Sequence, residues 1–173
     1  LGDVYKRQGY KENNGPFVIR YPRGKGEMAD WRNEMHVLPV GKGKKLRDGD
    51  DIAILSLGPI GNEVIKAIKE IEGDGISIAH YDMIYLKPMD EELLHEVGKK
   101  FSRIITVENG VIRGGLGSAV LEFMADNGYT PKIKRIGVPD EFVEHGPISE
   151  LYKLCGMDAK CIAEEIKKMV IEG

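Results

Sequence analysis

The apolar residues in the larger, later part of the chain follow two alternating spacings. Short runs rich in Ile, Val and Leu, typical of buried β-strands, lie at residues 52–57, 76–80, 104–107 and 133–136. Between these runs, apolar residues recur every three or four positions, as they do on one face of an amphipathic helix. Strands that alternate with helices predict a mostly parallel sheet covered on both faces.

Five helices are predicted from the helical spacing and from capping residues. The predicted buried faces are Val64, Ile65, Ile68 and Ile71 in the first helix, and Leu93, Leu94, Val97 and Phe101 in the second. A third helix covers residues 118–127, a fourth follows Pro147, and a fifth begins near Asp158, whose carboxylate can cap its first turn. We therefore expect a three-layer α/β domain, to which residues 41–47 can add an antiparallel edge strand.

Breaker residues and changes of pattern divide the chain. Residues 1–8 have no periodicity that connects them to the rest, and we interpret them as a non-native remnant. Residues 9–24 end in an apolar run that Pro22 and Gly24 stop, which indicates the end of a preceding domain. Residues 25–40 are polar and aperiodic, as in a linker, and residues 41–173 form the main domain.

Composition narrows the classes of function. The 173 residues carry 25 Lys and Arg against 28 Asp and Glu, a net charge of -3 that is too balanced to attract nucleic acid or an anionic membrane. The apolar runs fall far short of the roughly 20 residues that span a bilayer. We therefore expect a cytoplasmic protein that binds a small molecule or another protein. Cys155 and Cys161 lack zinc-like spacing, so we expect two reduced thiols.

Two glycine-containing motifs have a chemical and a structural interpretation. Gly73-Asp74-Gly75, with Asn109 further along, is similar to a motif that holds magnesium and a diphosphate, but that motif follows a strand and this one follows a helix. A helix-to-strand turn is the favoured interpretation. Residues 114–118 (Gly-Gly-Leu-Gly-Ser) precede a helix, where free amides can hold a phosphate. They lack a P-loop lysine and the dinucleotide spacing, so close packing is favoured.

Most charged and titratable side chains have no evident catalytic partner in the sequence. The basic cluster Lys42, Lys44, Lys45 and Arg47 lies beside an acidic turn and predicts a solvated face. His36, His80 and His95 have no neighbour suited to acid–base work. His145 lies in the loop at residues 139–147, for which a structural or interface role is favoured over a catalytic base.

Arg20 and Arg23 flank a rigid Tyr-Pro step at the predicted end of a strand. The ends of strands are where α/β sheets usually contact ligands, and a guanidinium group can grip a phosphate through two hydrogen bonds. The sequence leaves two interpretations open at this point, a phosphate clamp and a pair of surface arginines.

An ordered set of motifs extends over the chain from about Gly15 to its end. It consists of Arg-Tyr-Pro-Arg-Gly at 20–24, Tyr-Asp-Met at 81–83, Lys-Pro-Met-Asp at 87–90, Val-Glu-Asn at 107–109, Gly-Gly-Leu-Gly-Ser at 114–118, Gly-Val-Pro-Asp at 137–140 and Glu-His-Gly at 144–146. In this order the motifs resemble the carboxy-terminal part of the 1-deoxy-D-xylulose-5-phosphate synthases, a family of transketolase-like thiamine-diphosphate enzymes.

This resemblance implies a fold, a reaction and one substrate contact. The family condenses pyruvate with glyceraldehyde 3-phosphate, with loss of carbon dioxide, in isoprenoid-precursor and thiamine biosynthesis, using thiamine diphosphate and magnesium. Residues 9–24 would then end the pyrimidine-binding domain, and Arg23 would be the family's phosphate contact, with Arg20 the weaker candidate. The chain would have a structural and dimerisation role in a homodimer.

Two departures from the family pattern limit what the chain can do. Ile84 stands where the family commonly has an Arg, and the glutamate that activates the thiamine ring is absent together with the metal motif. We therefore expect the chain alone to be inactive and to hold no cofactor or metal. Two alternatives stay open: the final domain of a 2-oxoacid dehydrogenase beta subunit, which docks a lipoyl-carrying partner, and a free-standing interaction module.

Overall fold

The computed structural model describes residues 37–171, together with Gly9, Gly15, Pro16 and Val18. The chain divides into two compact units, residues 1–40 and residues 41–173. The strands and helices whose bounds are described all lie in the second unit.

The second unit contains the following elements. The strands are β1 (Lys44–Arg47), β2 (Ile52–Leu57), β3 (Ile78–Asp82), β4 (Arg103–Val111) and β5 (Lys132–Val138). The helices are α1 (Gly61–Glu70), α2 (Glu91–Lys100), α3 (Leu116–Asp126), α4 (Ile148–Leu154) and α5 (Ala159–Ile171), and a short 3₁₀ turn, Gly58–Ile60, leads into α1.

The five strands form one sheet in the order β1-β3-β2-β4-β5. β2 pairs in parallel with both β3 and β4, and β4 pairs in parallel with β5. β1 is antiparallel to β3 and forms one edge. The mostly parallel sheet and the antiparallel edge strand are therefore confirmed.

The central strand β2 buries side chains on both faces of the sheet. Ile52 and Ile54 join a core with α1 and α5, whereas Ala53 and Leu55 join a second core with α2 and α3. All four side chains are fully buried, and burial of a large aliphatic side chain contributes about 1.5–3 kcal/mol. Two cores on opposite faces confirm the predicted three layers.

Strand β3 begins two residues later than the apolar run at 76–80 predicts. Ser77 is held instead by the turn that precedes β2. Its amide donates to Asp51 Oδ2 over 2.7 Å, and its carbonyl accepts from the amides of Asp50 and Asp51. The apolar pattern alone cannot reveal these hydrogen bonds, so the strand was placed too early.

The predicted buried face of α1 is correct except for one residue. Val64 and Ile68 are buried, but Ile65 is 40% exposed. A helix turns by about 100° per residue, so Ile65 points away from the face that its neighbour Val64 occupies. The prediction that Ile65 would be buried is wrong.

The last helix is anchored at its first turn and along one face. Asp158 Oδ1 accepts a hydrogen bond from the amide of Cys161 over 3.2 Å, so the predicted cap is confirmed. Glu63 of α1 accepts from the amide of Ala159 over 3.2 Å. These two carboxylates fix the start of α5, and its residues Ile162, Ile166 and Met169 are buried in the first core.

Candidate functional site

The carboxyl ends of the parallel strands carry two acidic side chains, Asp82 at the end of β3 and Glu108 in β4. This is the edge at which open α/β sheets usually bind ligands. The contacts of these carboxylates therefore decide whether the edge is available for chemistry.

Glu108 is the more buried of the two, with 4% of its surface exposed. Its Oε2 accepts a hydrogen bond from the amide of Leu116, and its Oε1 accepts one from the amide of Gly117, both over 2.9 Å. These amides belong to the first turn of α3, where the partial positive charge of the helix favours an anion. The amides that the less favoured interpretation assigned to a phosphate at residues 114–118 are therefore bound by the chain's own carboxylate.

The glycines of this segment make room for that contact. A Cβ at Gly115 would lie 2.0 Å from Glu108 Oε2, and a Cβ at Gly117 would lie 2.7 Å from Thr106 Oγ1 and from the Arg135 side chain. Gly115 has φ -96, so its requirement for glycine is steric. Gly114, with φ 72, is the residue that needs left-handed backbone. These contacts support the packing interpretation of the motif.

Asp82 is used in a similar way at the neighbouring strand. Its Oδ1 accepts from the amide of Ile84 over 3.1 Å, and the amide of Gly58 also donates to this carboxylate. Burial raises the pKa of Asp82, and the two backbone hydrogen bonds oppose that rise. The carboxylate fixes the loops that follow β2 and β3.

Ile84, which the sequence comparison with the family singled out as a departure, has φ 56. Left-handed backbone is unfavourable for a β-branched side chain by about 1–2 kcal/mol. The loop after β3 keeps this conformation with the help of the hydrogen bond to Asp82. The shape of the loop therefore does not depend on an arginine at this position.

His80 has a buried partner that its sequence neighbourhood did not reveal. Its Nε2 lies 2.9 Å from Ser56 Oγ, which also lies 3.4 Å from the carbonyl oxygen of Tyr81. Ser56 is fully buried and His80 is 1% exposed. Burial lowers the pKa of His80 to about 4, so the ring is neutral at pH 7. A serine–histidine pair without access to a substrate is a structural contact between β2 and β3.

The other histidines have ordinary surroundings or lie outside the described residues. His95 Nδ1 lies 2.9 Å from Tyr129 Oη, and its ring packs edge-on against Phe123 at 5.0 Å. His145 is exposed in the loop between β5 and α4. His36 is not among the residues that the structure describes.

The basic cluster forms ion pairs on the surface. Lys45 pairs with Asp48 at 3.1 Å and with Glu96 at 3.5 Å, and Arg47 pairs with Glu72 at 3.8 Å. These partners are at least half exposed, and exposed pairs contribute about 0–1 kcal/mol. The contacts support a solvated face.

Gly73-Asp74-Gly75 lies in the turn between α1 and β3, as predicted. Gly75 has φ 75, and Asp74 pairs with Lys167 at 2.7 Å. Across the part of the chain that the structure describes, no group of three or more His, Cys, Asp or Glu side chains is arranged to hold a metal ion. Cys155 and Cys161 are both free thiols.

The two arginines singled out from the sequence have no described position in the structure. Arg20 and Arg23 both lie outside the described residues, so the assignment of Arg23 to a phosphate stays a prediction. Within the described residues, no helix is long and apolar enough to cross a membrane.

The order of the strands and the two cores define a class of domain that a family model also recognises. Residues 41–162 match the family described as Transketolase, C-terminal domain, and the chain belongs to this family.

The relatives narrow this class. The chain is 78% identical over 160 residues to 1-deoxy-D-xylulose-5-phosphate synthase of Parabacteroides distasonis, a match that covers 92% of this chain and 25% of that protein. It is 59% identical over 157 residues to the enzyme of the same name from Bacteroides fragilis, covering 90% of this chain and 24% of the relative. The chain spans about a quarter of the length of these relatives and matches their carboxy-terminal region, which confirms the resemblance.

Solved structures agree with the fold. A split-gene transketolase, described as an inactive beta4 tetramer, has a TM-score of 0.70 and 32% identity, and the match covers 79% of this chain and 43% of that one. A transketolase mutant from Pichia stipitis has a TM-score of 0.55 and 22% identity over 76% of this chain and 18% of the other. The second likeness supports the fold alone.

The sequence reasoning missed the pairing of Glu108 with α3 and of Ser56 with His80. A signal existed for the first pairing, because a lone acidic residue at the end of a strand precedes a glycine-rich helix start. No comparable signal exists for the second, since Ser56 and His80 meet only when β2 and β3 are aligned in register.

Replacing Gly115 with Ala is expected to lower the free energy of unfolding by about 2 kcal/mol, because a Cβ there displaces a carboxylate that accepts two hydrogen bonds. Gly73→Ala is the control, since a Cβ at Gly73 meets nothing within 4 Å. Urea unfolding monitored by circular dichroism measures both. Combining Gly115→Ala with Glu108→Gln should cost less than the sum of the two, because both remove the same contact. Full additivity would contradict the assignment.

The buried His80 predicts a pH dependence of stability. Its folded-state pKa, about 4, lies below the ordinary 6.5, so the unfolded chain binds the proton first as the pH falls. The contribution of His80 to the free energy of unfolding should be level above about pH 6.5, fall by about 3 kcal/mol toward pH 4 and level off below. His80→Gln should remove this part of the slope, and His145→Gln should leave it intact. The free energy of unfolding is measured by urea unfolding at each pH. The same dependence on pH in wild type and in His80→Gln would refute the prediction.

Proposed function

We propose that this chain provides the carboxy-terminal domain of a 1-deoxy-D-xylulose-5-phosphate synthase. Such an enzyme condenses pyruvate with glyceraldehyde 3-phosphate, with loss of carbon dioxide, in isoprenoid-precursor and thiamine biosynthesis. The observation that carries this proposal is the 78% identity to the synthase of Parabacteroides distasonis, together with the family match at residues 41–162.

Within that enzyme we assign the domain a structural role. The acidic side chains at the carboxyl edge of its sheet, Asp82 and Glu108, accept hydrogen bonds from main-chain amides of the domain itself. The buried Ser56–His80 pair has no access to solvent. The buried acidic and histidine side chains of the sheet are therefore engaged in holding the fold.

Thiamine diphosphate and magnesium belong to the proposed reaction, and the described residues do not fit them. A diphosphate needs free amides or cations, and the start of α3 is occupied by Glu108. Magnesium prefers clustered oxygen ligands, and the described residues offer no such cluster. We propose that residues elsewhere in the full-length enzyme hold both groups and that the enzyme works as a cytoplasmic homodimer.

Two other functions were open from the sequence, and the relatives favour the synthase over both. A 2-oxoacid dehydrogenase beta subunit would share the fold, but the chain matches proteins named as the synthase at 40–78% identity. A free-standing module is tested by the coding sequence upstream of Leu1. Absence of a thiamine-binding region from that reading frame would reject the synthase.

The 173-residue chain alone is expected not to bind thiamine diphosphate and not to form deoxyxylulose phosphate. Titration calorimetry with thiamine diphosphate and magnesium measures binding, with the full-length enzyme as the positive control. Specific micromolar binding by the chain alone would show that its residues hold the cofactor after all. Lack of product from the full-length enzyme, supplied with both substrates, would reject the proposed function itself.

Arg23→Ala in the full-length enzyme is expected to raise the KM for glyceraldehyde 3-phosphate strongly and to leave the KM for pyruvate nearly unchanged. A hydrogen bond to a charged group contributes about 1.5–3 kcal/mol, which corresponds to roughly ten- to more than hundredfold in affinity. Arg20→Ala is the matched control, because it removes a guanidinium from the same motif. Equal impairment of both substrates by Arg23→Ala, or of neither, would show that Arg23 is not the phosphate contact.

A further inference from the structure

Most of the segment that joins β5 to α5 lies outside the cores, and its first fully buried residue is Met157. Every residue between Gly137 and Met157 is described, and each is exposed or half-buried, including all of α4. Ordering a segment of this length costs conformational entropy, which burial of side chains normally offsets. Near its end, Tyr152 and Cys155 pack against the first core, but residues 139–149 contribute no side chain to either core. Residues 139–154 are called the 139–154 arm below.

The arm exposes large apolar side chains. Phe142 has 107% of its reference surface exposed, Leu154 has 74% and Ile148 has 42%. Among the described residues, no hydrogen bond or ion pair involves residues 142–146. A fully exposed phenylalanine on a stretch without hydrogen bonds or ion pairs is typical of a surface that another part of a protein covers.

The charges of the arm indicate the kind of surface that covers it. The acidic residues Asp140, Glu141, Glu144 and Glu150 outnumber its one lysine, Lys153. Asp140 pairs with Arg113 at 3.6 Å, and Glu141 and Glu144 have no ion-pair partner among the described residues. Phe142 is therefore flanked by acidic side chains, which a basic surface would complement.

We propose that the 139–154 arm packs against a part of the full-length enzyme that lies outside these 173 residues, on an apolar pocket for Phe142 bordered by Arg or Lys side chains. The inference rests on the proposed function. The synthase relatives support this source of the partner surface, because the chain covers only 25% of their length and matches their carboxy-terminal region. A second copy of the arm is disfavoured, since a twofold contact between two acidic arms would bring like charges together.

Hydrogen exchange measured by mass spectrometry tests this docking. In the 173-residue chain, the amides of residues 140–147 should exchange as fast as those of an unstructured peptide. In the full-length enzyme they should exchange at least about tenfold more slowly. Equal rates in both proteins would overturn the proposal. Protection in the 173-residue chain that grows with its concentration would show a second copy as the occupant, which also overturns it.

Variants separate docking from the stability of the domain. Phe142→Ser should leave the melting temperature of the 173-residue chain unchanged and raise the exchange of residues 140–147 in the full-length enzyme about tenfold. Ile171→Ser is the control, because Ile171 is 80% exposed and lies outside the arm. The same increase with Ile171→Ser, or none with Phe142→Ser, would reject the pocket.

The basic border of the pocket has its own test. Glu144→Lys should also raise the exchange of the arm in the full-length enzyme, whereas Glu122→Lys, an exposed change on α3, should not. An unchanged rate for Glu144→Lys would overturn the assignment of a basic partner surface. Product formation by the same full-length enzyme is measured in parallel, so that loss of the proposed function is distinguished from loss of docking.

Discussion

The contact between Glu108 and the start of α3 constrains most of the domain's carboxyl edge. Two charge-assisted hydrogen bonds join a residue of β4 to the first amides of the helix that follows. The helix must begin at Leu116 to present those amides, two residues earlier than its apolar pattern predicts. Gly115 and Gly117 must lack side chains for β4, β5 and α3 to approach so closely. The first residue of α3, the position of this helix and the glycines at 115 and 117 therefore follow from one buried carboxylate.

The same use of carboxylates recurs around the domain. Asp90 caps α2 through the amide of Leu93 and also accepts from the amide of Gly43, which ties the residues before β1 to that helix. Burial alone would raise the pKa of Asp90, but these amides and Lys42 lower it overall. Asp158 caps α5 in the same manner. A domain whose acidic side chains are bound to its own amides is suited to holding shape within a larger enzyme.

The sequence predicted the parts of the fold that depend on burial alone. β2 matches its predicted bounds because both faces of that strand are covered and the whole run is apolar. The sequence misplaced β3 because Ser77 binds a turn that lies 26 residues earlier. The pairs Glu108–Gly117 and Ser56–His80 depend on how distant segments meet, which spacing along the chain does not encode. The candidate phosphate contact Arg23 came from the family resemblance, and the residues that surround it are not described.

Ile84 shows how little this loop depends on the side chain at that position. A β-branched residue is a poor choice for left-handed backbone, yet the loop after β3 holds that conformation through the contact with Asp82. The carboxylate of Asp82 contacts only a main-chain amide at position 84, so this restraint is open to any residue there except proline. For protein engineering, the left-handed backbone makes position 84 a place that accommodates glycine more easily than a β-branched side chain.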